Sequence, residues 1–344
     1  MEVIVRGATL VNPERCFVAD VWIKEEIIHY IHEHIPKKGP IKEIDGSDYY
    51  MLPGFFRFGT SLGSNRTSLS EFKTIQEQWF KNGYTAYVDD LTMLHTSAWR
   101  TVLGYELAMH HNSRLTHRVR LRVPYRSVNE TVIRAVLTHR IPMMEMILLP
   151  ENSLSASFWS LLLMGFSRYR LSVKLSFARE CTLRERKRWL TDNLPQVVSM
   201  LEYRGIPLIL DEHPEIVKVV CNNKSPYGAY ITWEVNRDCP VVYDRKQFGE
   251  LALSAANFPS SGIDERMLRR MVEVGSRLPA RLFGAYPQKG ALVAGSEADF
   301  FLIPKNFFGN PATFWTPSFV YTKGRRNKYL LFTEKDANTC NTAL

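Results

Sequence analysis

The chain has 344 residues, 45% hydrophobic and 23% charged, which is enough for one large domain or a large domain plus a small one and argues against disorder or a fibrous repeat. The five cysteines, Cys16, Cys181, Cys221, Cys239 and Cys340, are odd in number and widely spaced with no CxxC pair. That pattern argues against a disulfide framework or a zinc knot, and the expectation is a cytoplasmic protein with reduced thiols. A net charge of +9 could attract anions or nucleic acid, but the basic residues are dispersed and no nucleic-acid motif accompanies them, so nucleic acid is not the expected partner. The densest run, RERKR at 184–188, carries its own glutamate and reads as a solvated helix face.

The chain begins MEVIVRG, with an acidic second residue and no apolar run behind it, so no secretory leader is expected. Segments 2–5, 8–11, 18–24, 27–32 and 41–45 alternate as short strands, with turns read at Gly7 and at Asn12-Pro13. From Met51 onward, short apolar runs alternate with segments of helix length. Strands are predicted at 55–59, 84–89, 118–123, 144–149, 171–176, 207–211, 241–243 and 251–255. Helices are predicted at 69–82, 98–112, 128–138, 155–167, 183–203, 215–222 and 264–276. The most apolar segment, FWSLLLMGF at 158–166, is far below the roughly 20 residues of a membrane span, so no membrane association is expected.

Strand–helix alternation implies parallel pairing through crossover helices, and eight such strands fit an α/β chain folded as a (β/α)8 TIM-like barrel. After Gly284 the strand texture returns at 291–293, 300–303, 319–321 and 329–332. The expected organisation is a barrel over 52–284 and a small β-sandwich-like domain built from both chain ends, 1–51 and 285–344.

Four stretches carry a resemblance: VRGATL at 5–10 followed by ADVWIK at 19–24, MLPGFF at 51–56, RLPARLFG at 277–284, and KGALVAGSEADFFLI at 289–303. In order and spacing, together with KGR at 323–325, they resemble the amidohydrolase superfamily in its dihydroorotase and hydantoinase branch. By their own chemistry these motifs speak of fold. Pro53-Gly54 turns the chain from the small sheet into the barrel, Gly290 and Gly295 read as turn positions of unusual φ, and Asp299 as a cap or turn before a strand.

The resemblance also implies where chemistry would sit. In that family a first-strand HxH pair binds one or two divalent metals that activate water against an amide carbon. The two histidine positions are Gly59 and Ser61 here, and the family's aspartate is Arg57. Only His213 lies beyond His139, so two later histidine ligands cannot both exist, and SAANF at 254–258 offers no carboxylate where the late aspartate belongs. Lys174, in LSVKLSF, reads either as a remnant of the family's bridging lysine or as a lysine kept by a neighbouring carboxylate. Asp211, Glu212 and His213 follow a strand and read as a remnant ion site, an acid–base pair or a polar loop top.

One feature departs from an ordinary barrel strand. In HRVRLRV at 117–123, Arg118, Arg120 and Arg122 share one face and Val119, Leu121 and Val123 the other, whereas a buried parallel strand is apolar on both. Such arginines are paired, solvated or used. Arg57, Arg120 and Arg122 are candidates for binding an anion at the barrel mouth, and ion pairs to Asp89, Asp90 or Glu145 are the alternative.

The resulting expectation is a catalytically degenerate, dihydroorotase-like homologue with a structural or regulatory role and no cofactor. A homo-oligomer is expected, and family analogy offers an aspartate carbamoyltransferase-like partner. Two alternatives stay open: an amidohydrolase on a cyclic amide with a single metal such as zinc, and a small-anion or nucleic-acid binder.

Overall fold

A computed structural model describes residues 2–37, 39–60, 68–92, 113–138, 141–149, 172–203, 208–210, 265–306, 319–322 and 325–326. Two sheets organise these residues. The first draws on both ends of the chain, in the order β14-β13-β12-β5-β1-β2-β3, with β4 added beside β1. Its strands are β1 (Glu2–Val11), β2 (Cys16–Lys24), β3 (Ile27–His32), β4 (Lys42–Asp45), β5 (Tyr49–Pro53), β12 (Phe300–Pro304), β13 (Phe319–Thr322) and β14 (Arg325–Arg326). The seam between the two ends is antiparallel pairing of β12 with β5, Phe300 opposite Pro53 and Leu302 opposite Met51. Among the described residues the end strands form this single sheet; the second layer of a sandwich is not among them.

The two predicted strands at 2–5 and 8–11 are one strand, β1. Gly7 forms a bulge there instead of a turn: its φ is +62° and the register against β2 shifts between Val5 and Ala8. Asp20 locks the bulge from β2. Its carboxylate accepts from the N–H of Gly7 at 2.8 Å, the N–H of Ile35 at 3.0 Å and the Arg6 guanidinium at 2.6 Å. The predicted strand at 291–293 is a turn, because Leu292 is tied by its backbone to both side-chain amide atoms of Asn12 in place of a strand partner.

The second sheet is parallel and curled, in the order β11-β10-β9-β8-β7-β6. Its strands are β6 (Phe55–Thr60), β7 (Tyr84–Thr92), β8 (Thr116–Pro124), β9 (Met143–Leu148), β10 (Ser172–Phe177) and β11 (Leu208–Leu210). All five adjacent pairs are parallel. The predicted strands at 241–243 and 251–255, and the helices at 98–112, 155–167 and 215–222, lie outside the described residues.

The helices α1 (Leu69–Lys81), α2 (Glu130–Thr138) and α3 (Leu183–Tyr203) lie within two residues of their predicted bounds. A capping box starts α1: the Ser68 hydroxyl accepts from the Glu71 N–H while the Glu71 carboxylate accepts from the Ser68 N–H. The predicted helix 264–276 continues further. It begins as α4 (Glu265–Val272), widens into a π-turn at Glu273–Arg277 and ends in α5 (Leu278–Leu282). The widening seats Gly275 against the Phe55 ring and turns the Ser276 hydroxyl onto the Gly54 carbonyl at 2.7 Å.

Core packing assigns the two faces of the parallel sheet. Leu121, Val123, Met144, Met146, Val173 and Leu175 pack with α2 and α3 residues such as Ile133, Val136, Trp189 and Leu194. This is the outer, helix-covered face. The opposite face alternates with it, and its lower half is closed by Phe56, Ala86, Val88 and Met143 against Ala280, Leu282 and Phe283. Its upper half is polar and holds the candidate site.

Candidate functional site

Parallel register sets four strands' charged residues side by side on that inner face. Asp90 of β7 lies opposite Arg120 of β8, Arg122 of β8 opposite Glu145 of β9, and Glu145 opposite Lys174 of β10. Glu145 is the centre. It is 1% exposed; its Oε1 accepts from the Ser176 hydroxyl at 2.7 Å and lies 3.7 Å from the Lys174 Nζ. Its Oε2 faces Arg120 Nε at 3.3 Å and Arg122 Nε at 3.2 Å. Asp90 takes the other side of Arg120 in a two-pronged pair, Nε to Oδ1 at 2.9 Å and Nη2 to Oδ2.

Burial alone would push the Glu145 carboxyl up. Lys174, Arg120 and Arg122, helped by the Ser176 hydroxyl, hold it down at about 2. Lys174 is itself 2% exposed, so a permanently ionised glutamate is what makes its burial tolerable.

The sequence candidates are therefore partly gathered and partly separated. Arg120, Arg122 and Lys174 meet around Glu145. Arg57 does not join them: it pairs in register with Tyr87, and its guanidinium lies over the Tyr84 ring at 5.7 Å on the helix-covered side. Alternation along β6 and β7 sends neighbours to opposite faces, and a reading of motif position alone does not count that alternation. Arg118 sits lower on the inner face, near Glu297, and donates to the His117 carbonyl. Gly59 lies within β6, while Ser61, Asp211, Glu212 and His213 lie outside the described residues. The sequence named Glu145 only as one of three partners for the arginines. The signal was a lone acid in the apolar run MMEMILL, which has no apolar reason to be there.

The metal of the resembled family fits this donor set poorly. Guanidinium and ammonium groups offer no lone pair, and both carboxylates are already held by cations. Among the described residues no group of three or more histidine, cysteine or acidic side chains could hold an ion.

The remaining family motifs are structural. Gly54 has an ordinary φ; it is glycine because a Cβ there would stand 2.0 Å from the Thr85 Oγ1. Gly290 and Gly295 have φ of +79° and +87°, as their turn positions required. Asp299 stands immediately before β12, its N–H on the Glu297 carbonyl at 2.8 Å, and its buried side chain pairs with the buried Lys289, which also meets Glu297 at 2.6 Å.

No family model and no curated protein sequence matches the chain. Solved structures do. The dihydropyrimidinase of Brevibacillus agri superposes with a TM-score of 0.60 at 16% identity over 95% of each chain. The L-hydantoinase (dihydropyrimidinase) of Arthrobacter aurescens gives 0.59 at 13%, over 94% of this chain and 95% of that one. A prolidase complexed with N-methylphosphonate-L-proline gives 0.56 at 11%, over 95% and 99%. The chain thus shares the fold of these dihydropyrimidinase, hydantoinase and prolidase structures.

Proposed function

We propose that this chain is a catalytically degenerate, dihydroorotase-like homologue with a structural or regulatory role. Glu145 is the observation that supports it. A general base works best with a pKa near the operating pH, and a carboxyl held at about 2 by three cations is far from that. Lys174 is engaged with the same glutamate. The missing first-strand histidines, Gly59 and Ser61 in this chain, agree with the reading.

The same reading completes the six described strands to a (β/α)8 barrel over 52–284, with 241–243 and 251–255 as its last strands. It assigns 1–51 and 285–344 to one end domain. It further proposes a cytoplasmic homo-oligomer without a cofactor, for which a carbamoyltransferase-like subunit is the partner to try first in gel filtration. No helix among the described residues is long and apolar enough to cross a membrane.

Elemental analysis of the purified full chain, paired with hydrolysis assays on hydantoin and a dihydropyrimidine, tests the central claim. The expected result is metal well below one equivalent and no turnover. Stoichiometric zinc with turnover would overturn it and would direct attention to Asp211, Glu212 and His213.

A further inference from the structure

The three inner-face arginines of β8 are held differently. Arg118 lies lowest of the three on the strand, where the Glu297 charge acts on it. Arg120 is gripped from two sides by Asp90 and Glu145, with its side chain only 7% exposed. Arg122 lies nearest the carboxyl end of the strand, and its side chain is 37% exposed. Its one ion-pair partner among the described residues is Glu145, approached by Nε at 3.2 Å without hydrogen-bond alignment. Glu145 has a single negative charge and shares it with Arg120 and Lys174 as well. The Nη edge of Arg122 is thus anchored from behind, and its positive charge is incompletely matched. Parallel α/β sheets bind their ligands at the carboxyl ends of the strands, where this edge is placed.

We propose that Arg122 is an anion-binding residue, whose Nη edge takes a planar or tetrahedral oxyanion (a carboxylate or a phosphate group of a small ligand) through paired charge-assisted hydrogen bonds. Glu145 acts as a positioning residue that fixes the Arg122 stem, and the Asp90–Arg120 pair braces Glu145 from the next strand. The inference deepens the reading of a non-catalytic barrel by giving its mouth a ligand class.

The test uses calorimetric titration of the full chain with inorganic phosphate and, separately, acetate, against chloride at matched ionic strength. Wild type is expected to bind at least one oxyanion saturably, and Arg122→Gln to weaken that binding by about tenfold or more, the loss of one charge-assisted pair. Arg57→Gln, altered on the opposite face, is expected to bind as wild type does. Should Arg122→Gln fail to fold, Arg122→Lys carries the test: it keeps the charge without the fork and is expected to weaken binding severalfold. Unchanged affinity in the Arg122 variant, an equal loss in Arg57→Gln, or no saturable binding by wild type overturns the inference. Metal content and hydrolysis are read separately, so a failure of the non-catalytic reading and a failure of anion binding are distinguishable.

Discussion

Replacing Glu145 with glutamine keeps the side chain's shape and removes its charge. In the folded protein the carboxyl is held at about 2, against an ordinary value of 4.5. That difference corresponds to about 3 kcal/mol of stability at neutral pH. Removing one partner from a buried ion pair independently leads to about 3–5 kcal/mol, because Arg120 and Lys174 would keep buried charges with less to oppose them. The two routes agree, so Glu145→Gln is expected to cost about 3 kcal/mol in urea unfolding at pH 7. The pH dependence gives a sharper check. Because the folded carboxyl is the stronger acid, the unfolded chain binds the extra proton between pH 4.5 and about 2. Glu145's contribution is therefore complete above 4.5 and is lost as pH falls toward 2. The gap between wild type and variant should close by about 1.4 kcal/mol per pH unit below that point. A gap under about 1 kcal/mol at neutral pH, or one that stays constant down to about pH 3.5, would refute the ion-pair account.

Two further outcomes follow from the same structure. Gly54→Ala places a Cβ 2.0 Å from Thr85 Oγ1 and 2.7 Å from Thr85 Cβ, and Thr85 is 1% exposed with no room to withdraw. The cost is expected to be about 1–3 kcal/mol, read as a lowered melting temperature; an unchanged melting temperature would contradict the close packing. His117 is buried and stacked on Tyr87 at 4.6 Å, and burial pushes its pKa well below 6.5 although Asp89 opposes this. Its neutral form is thus the folded one, and stability present above pH 6.5 is lost as pH falls below it, by about 1.4 kcal/mol per pH unit at most. His117→Phe keeps the ring contact and should flatten the stability profile on the acid side of 6.5; an unaltered slope would place the titration elsewhere.

Local pattern determined much of this protein. The alternation of apolar runs with helix-length segments placed six parallel strands and three helices, because burial on both faces of a strand and on one stripe of a helix leaves those periods in the chain. The terminal motifs identified the fold for a similar reason: Gly290 and Gly295 answer backbone demands that few other residues meet, and Gly54 a close approach to Thr85 that no side chain allows. The absence of first-strand histidines was equally plain, since ligand chemistry is a property of single residues. What the order of residues could not decide is who meets whom. Gly7 as a bulge and not a turn, Asp299 as the partner of Lys289, and Arg57 on the far side of the sheet from Arg120 each depend on register. Register is set by partners distant in sequence, and a shift of one residue exchanges the faces. The same dependence made Glu145, a single acid in an apolar strand, the centre of the inner face: only the alignment of β8, β9 and β10 brings Arg120, Arg122 and Lys174 around it.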